Sequence, residues 1–427
     1  MKRRTFLLGT GAVVIGGTWL ARPGDHGAPY DDYFRALNEE LKKNGPMRPS
    51  IIIDLDRLDH NIDLVKASVA RVTGRHYRIV EKSVPCSKLI EYVSKRAGTR
   101  RLMSFHQPFI NDDAVAFPDA DILIGKPLPP RSAELFYKNL KGTTFDPKRQ
   151  LQWLIDTPEN MQQYLGLAKG LDTKLRVNIE IDVGLHRGGV NNNDTLGKML
   201  DMIAANPDRL EFSGFMGYDP QCGMGVPRIL GSHEELFAAA MKRYQGFADF
   251  TRSQYPKLWH DGLTLNTAGS PTYKLHEAEH LTNDISVGTA LLKPTHYDLD
   301  TLAEHVPAAY IATPVLKATG PVELPALDGK SRIFAWWDVN QRETYFIYGG
   351  DWMAEYESPK GLQGNTLYGH STNQEIVNAS RAAGLKVDDQ VFFRPQQSEF
   401  VLLQFGDLLA VRGGKIVDHW PVMDQSG

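Results

Sequence analysis

The spacing of apolar positions changes along this chain, and the changes divide it into regions. Residues 30–43 carry a helical period, and the prolines at 46 and 49 predict a loop after them. Short apolar runs then recur at 78–82, 102–106, 121–125, 152–156, 176–182, 212–218, 263–268 and 285–288. Between them lie helical stretches such as 85–96, 158–170, 195–206 and 233–255, each long enough to return the chain for a parallel strand. Eight such strands predict an α/β fold built as a (β/α)8 barrel over 47–303. A doubly wound open sheet is the alternative, since it shares the same alternation.

The texture changes near residue 304. Short β-rich runs at 309–318, 332–338, 344–348, 391–395, 399–405 and 408–412 replace the alternation and predict a smaller C-terminal β domain over 304–427. Residues 50–54 are expected to add a strand to it. There are no internal repeats, low-complexity tracts or long charge runs.

The first 29 residues read as a targeting segment and stand outside the fold argument. Lys2, Arg3 and Arg4 precede Thr5, Phe6, Leu7 and Leu8, and an apolar, glycine-rich stretch runs on to Trp19 and Leu20. This pattern predicts a twin-arginine export signal and a periplasmic or secreted protein. The apolar run is too short and too diluted by glycine for a stable membrane span. A twin-arginine route carries folded proteins, which suits an enzyme that takes up a cofactor in the cytoplasm.

Composition narrows the partner. The 427 residues are 42% hydrophobic and 23% charged, with a formal net charge of −3, so there is no basic footprint for nucleic acid or an anionic membrane. A small molecule is the expected partner. Cys86 and Cys222 are the two cysteines; they are expected as unpaired thiols, although an oxidising compartment would permit a disulfide.

Lys82 carries the candidate chemistry. It closes the apolar run at 78–82, where a barrel enzyme could hold an aldehyde as a Schiff base. Downstream, the run at 263–268 leads into the small-residue turn Ala268, Gly269 and Ser270, rich in backbone N–H groups that suit a phosphate. An aldehyde that also carries a phosphate describes pyridoxal 5′-phosphate. Gly288 and Thr289 follow the eighth strand and are placed to add donors to the same phosphate. Arg187, in the stretch NIEIDVGLHRGGV, could reach the cofactor's phenolic oxygen or a substrate carboxylate. Tyr218, in GFMGYDPQ, could stack near the ring or donate from its phenol.

Taken in order, these segments resemble the D-threonine aldolase and D-serine dehydratase family of fold-type III pyridoxal phosphate enzymes, relatives of alanine racemase. The similarity runs from about Pro49 to the end and includes SIIIDLDRLDHNI, EIDVGLHRGGV, GYDPQ, NTAGSPTY and VRGGKIVDHWPV. It implies a barrel whose lysine forms the aldimine, a C-terminal β domain and a homodimer. Two departures bear on the reaction. Ser83, Val84 and Pro85 stand where the family has threonine, histidine and lysine, and Gln397 and Glu399 stand at the positions of its metal ligands. Glutamine is a poor zinc ligand, so a divalent metal is not expected here.

The leading expectation is therefore a lyase acting on a D- or β-hydroxy amino acid, with Lys82, Arg187 and Tyr218 as catalytic residues. An amino-acid racemase is the alternative; it needs a second base, for which His106 and His186 are candidates. A non-catalytic cofactor-binding protein is the third.

Overall fold

The computed structural model describes residues 22–224, 231–323, 329–365 and 367–425, so the predicted export motif lies outside the described residues. The chain forms two compact units. One takes its described residues from Met1–Ile52, Tyr310–Pro395 and Leu409–Asp418, the other from Ile53–Ala309, Gln396–Leu408 and His419–Gly427.

In the first unit, strand β1 (Ser50–Asp54) joins a larger sheet made mostly of later strands, as the sequence predicts. The second unit holds eight parallel strands, β2 (His76–Val80), β3 (Arg101–Ser104), β4 (Asp121–Ile124), β5 (Leu151–Ile155), β6 (Leu175–Glu180), β7 (Leu210–Gly217), β8 (Thr264–Thr267) and β9 (Asp284–Val287). They close into a barrel in chain order, and β9 returns to β2 with His76 opposite Asp284 and Ile79 opposite Val287. The closed ring settles the choice against the open sheet. Helices Leu55–Val69, Phe109–Ala116 and Pro130–Asn139, which the sequence reading did not single out, fill in the alternation around it.

The floor of the barrel is polar. Arg78, fully buried, donates from Nε to Asp284 Oδ1 at 2.7 Å and from Nη2 to Asp284 Oδ2 at 3.0 Å, and reaches Asp121 at 3.1 Å. Arg101 Nη1 lies 2.8 Å from Asp284 Oδ2, and Asn266 Nδ2 donates to Asp284 Oδ1 at 2.6 Å. Burial would raise the Asp284 carboxyl, but the two arginines and Asn266 outweigh it and hold the group below its ordinary range. Asp284, Asp121 and Arg101 each begin a strand, so this network closes the N-terminal end and leaves the C-terminal end for a site.

The sheet unit continues with β10 (Ala309–Ala318), β11 (Glu343–Tyr348), β12 (Ala354–Ser358), β13 (Gln363–Gly364), β14 (Gln374–Ala379), β15 (Gln390–Pro395), β16 (Leu408–Arg412) and β17 (Lys415–Trp420). Its order is β13-β14-β11-β10-β1-β16-β17, with β15 pairing β10 and β12. Helix Asp32–Asn44 is capped by the Asp31 side chain, which accepts from Phe34 N. Phe34, Leu37 and Leu41 share one helix face and meet Tyr310, Phe392 and Leu409 of the sheet.

Two expected strands are helical instead. Residues 332–338 form helix Arg332–Trp337, closed by bonds such as Asp338 N to Phe334 O at 2.8 Å. Their aromatic composition suits a half-buried pleated surface, whereas Ile333 and Trp336 are exposed and, among the described residues, no strand pairs with them. Residues 399–405 contain helix Glu399–Leu402. Val401 and Leu402 are its buried positions, adjacent rather than alternating as a half-buried strand would require.

Among the described residues, no helix is long and apolar enough to cross a membrane. Cys86 and Cys222 are free and buried, matching the unpaired expectation.

Candidate active site

A cavity opens at the C-terminal ends of the barrel strands, where sites of such barrels lie. All eight residues singled out from the sequence, Lys82, Arg187, Tyr218, Ala268, Gly269, Ser270, Gly288 and Thr289, line it.

Lys82 sits slightly beyond its strand. β2 ends at Val80, and the chain turns through a 3₁₀ segment Glu81–Ser83 that closes with Val84 N donating to Glu81 O at 2.8 Å. The turn buries Glu81 and leaves the Lys82 amine facing the cavity. There Nζ lies 2.5 Å from Glu399 Oε1 and 5.0 Å from the centre of the Phe105 ring.

Under the lysine lies a buried acid pair. Ser104 Oγ is 2.9 Å from Glu81 Oε2 and 2.7 Å from Asp113 Oδ2. Burial and the mutual repulsion of the two groups raise Glu81 well above the ordinary carboxyl value. Burial also pushes Asp113 up to about 7.

The turn after β8 is held from below. Ala268 adopts a left-handed φ of 67°, and Gly269 N donates to Thr272 Oγ1 at 3.2 Å. Thr272 donates in turn to Asp219 Oδ1 at 2.7 Å, and Asp219 Oδ2 lies 2.8 Å from His276 Nε2. Burial opposes a charge on His276, yet Asp219 and Glu279 together hold its pKa above the ordinary value, so the contact that anchors the turn favours the protonated imidazole. A Cβ on Gly269 would meet Tyr218 Cε2 at 2.6 Å, and one on Gly288 would meet Val80 Cβ at 2.7 Å. Both glycines therefore clear space at the cavity wall. Three hydroxyls gather beside them. Ser83 Oγ lies 2.9 Å from Thr289 Oγ1, and Ser270 Oγ accepts from Ala290 N at 2.8 Å, which leaves its own hydrogen to donate.

Arg187 is presented by a loop that Asp182 folds. Its carboxylate accepts from Gly184 N at 2.9 Å and His186 N at 3.0 Å, and lies 2.6 Å from His186 Nδ1. The Arg187 guanidinium sits 5.0 Å over the Tyr218 ring. Burial, reinforced by Tyr297 and Glu399, raises the Tyr218 phenol, so it remains a neutral donor.

His186 is exposed on its loop and His106 stacks on Phe109 at 4.0 Å; neither lines the cavity. Gln397 is exposed, while Glu399 faces Lys82. Among the described residues, no group of three or more histidine, cysteine, aspartate or glutamate side chains is arranged to hold a metal.

The sequence reading missed Ser83, Phe105, Asn266, Ser286 and Tyr297 as lining residues. Strand alternation was the available signal for several. Asn266 stands two positions before Ala268, and Ser286 two before Gly288, on the same face.

Comparison with known proteins agrees with the fold. Three solved structures share the fold at low identity. D-threonine aldolase from Filomicrobium marinum is 15% identical, with 88% of this chain and 96% of that one covered and a TM-score of 0.66. D-threo-3-hydroxyaspartate dehydratase from Delftia sp. HT23 is 16% identical, with coverage of 90% and 99% and a TM-score of 0.65. Alanine racemase from Bacillus anthracis is 14% identical, with coverage of 88% and 97% and a TM-score of 0.64. No curated protein sequence matches the chain. Residues 53–295, more than half of the chain, match the family described as "Alanine racemase, N-terminal domain", and the chain belongs to that family.

Proposed function

We propose that this protein is a pyridoxal 5′-phosphate-dependent lyase acting on a D- or β-hydroxy amino acid. The observation that carries the proposal is the joint placement of the Lys82 amine, the Arg187 guanidinium and the glycine-and-hydroxyl corner of Gly269, Ser270, Gly288 and Thr289 around one cavity. The donor set fits the cofactor. The corner offers hydroxyls, and room that a Cβ would take, to a phosphate. Lys82 offers a primary amine to the aldehyde carbon, and Arg187 and the neutral Tyr218 phenol offer donors to an anionic oxygen.

When bound, pyridoxal phosphate supplies a conjugated ring that accepts the electron pair left at the substrate Cα. This chain's residues decide position and proton traffic. Asp219 and His276 hold the turn that would grip the phosphate. Arg187, set by the Asp182 loop, orients a carboxylate, and the Phe105 face beside Lys82 shields the amine from water on one side.

A racemase needs proton donors on both faces of Cα. Lys82 would serve one face, while the histidines weighed for the other do not line the cavity. A cofactor-binding protein without turnover is the remaining alternative. The proposal extends to a homodimer exported to the periplasm by the twin-arginine motif at Lys2, Arg3 and Arg4; size-exclusion chromatography and fractionation of a tagged full chain test those two parts.

The deciding experiment incubates full-length protein and pyridoxal phosphate with D- and L-amino acids, with and without Mn²⁺ or Zn²⁺. Aldehyde, or keto acid with ammonia, supports the lyase. Exchange of enantiomers alone replaces it with the racemase, and spectral change without product leaves only binding. Lys82→Ala is expected to abolish the absorbance near the visible edge; its persistence removes Lys82 from the site.

A further inference from the structure

We propose that Glu399 is the catalytic acid and base for the Lys82 amine, taking its proton before it condenses with an aldehyde and returning one to the departing oxygen. The inference rests on Lys82 being the cofactor lysine and adds a residue to that reading. Its basis is geometric. Glu399 Oε1 stands 2.5 Å from Lys82 Nζ, and both side chains line the cavity. Among the described residues lining it, Glu399 is the single carboxylate, and there is no histidine. The other ionisable groups there are Arg187, poised over the Tyr218 ring, and the Tyr218 and Tyr297 phenols, which burial keeps protonated. None of these accepts a proton from an ammonium at neutral pH.

The carboxylate is also held in place. Glu399 begins a short helix whose next two residues but one, Val401 and Leu402, are buried, and Gln396 O accepts from His296 N at 3.2 Å just before it. The Phe105 ring lies 5.0 Å from the same amine. Glu399 reaches the amine from a segment roughly three hundred residues away in the chain.

The steps balance. Lys82 Nζ loses one proton to Glu399 Oε, and its freed lone pair forms the N–C bond while the carbonyl π pair moves to oxygen. A second proton passes from nitrogen to that oxygen, making a hydroxyl. Glu399 then gives back its proton as the C–O bond breaks, so water leaves, the C=N bond forms and the carboxylate is restored. No oxidant or reductant is required.

A bare counterion role predicts the opposite sign. A carboxylate that only pairs with the ammonium keeps the amine protonated, so its removal would speed condensation. The test uses full-length protein freed of cofactor and mixed with pyridoxal 5′-phosphate in a stopped-flow instrument. Absorbance gives the rate, and borohydride reduction with peptide mass analysis gives the position. Glu399→Gln is expected to slow labelling of Lys82 by about 100-fold, the usual scale of general acid and base catalysis. Glu399→Asp should recover part of the rate, and thermal unfolding of both variants should match the parent. Labelling of Glu399→Gln as fast as the parent or faster overturns the proposal while leaving Lys82 in place. Failure of the parent itself to label Lys82 overturns the cofactor reading, and this inference with it.

Discussion

Replacing Asp113 by Asn tests the acid pair under Lys82 in quantitative terms. Ser104 Oγ contacts both Glu81 Oε2 and Asp113 Oδ2, yet a hydroxyl carries a single hydrogen. One of the two contacts therefore needs a proton on a carboxyl. Burial pushes Asp113 up to about 7, whereas an aspartate in the unfolded chain titrates near ~3.9. Across that window the folded protein holds a proton that the unfolded chain has released, so stability falls as pH rises and levels off above the folded value. At ~1.36 kcal/mol per unit, about three units set a ceiling of roughly 4 kcal/mol on the loss. An amide at 113 keeps the shape, can donate to Ser104 Oγ and does not titrate. The stability of Asp113→Asn relative to the parent should thus rise by ~2–3 kcal/mol between about pH 5 and pH 8. Guanidinium unfolding followed by circular dichroism measures the difference between variant and parent at each pH. A difference that stays flat over this range refutes the shared-proton account.

Two further substitutions address the barrel floor and the cavity wall. Asp284→Asn leaves Arg78 buried without its full partner and should cost about 3–5 kcal/mol. Since the folded-state pKa of Asp284 is depressed, this contribution is present above the unfolded value near ~3.9 and is lost as pH falls further; an unfolding midpoint equal to the parent's at neutral pH would contradict it. Gly269→Ala puts a Cβ 2.6 Å from the Tyr218 ring, so pyridoxal phosphate should bind at least ~10-fold more weakly, about 1.4 kcal/mol, in a fluorescence titration. Unchanged affinity would remove the turn from the binding surface.

Much of the barrel was legible because each strand is a short apolar run and each return is a helix of adequate length. β2, β6, β7 and β8 fall within two positions of their expected ranges. The site was legible where a strand end and a small-residue turn coincide, as at Lys82 and Gly269. Glu399 was visible only as a metal-ligand position, because nothing local in RPQQSEF signals that its carboxylate meets a lysine from the start of the barrel. The pairing is set by tertiary return of the chain, which periodicity does not encode. Residues 332–337 misled for another reason: aromatic and β-branched composition describes a surface a strand can use, and among the described residues no neighbouring strand supplies the ladder. Asn266 and Ser286 were within reach of simple alternation and were passed over.

The late return of Gln396–Leu408 to the barrel has a consequence for biogenesis. During translation the lysine leaves the ribosome roughly three hundred residues before the carboxylate that meets it. A nascent or prematurely terminated chain holds the amine without its counterpart, so the Lys82–Glu399 pair forms only after residue 399 has emerged. Nicking the polypeptide in that returning stretch would strip the same group from an otherwise assembled barrel.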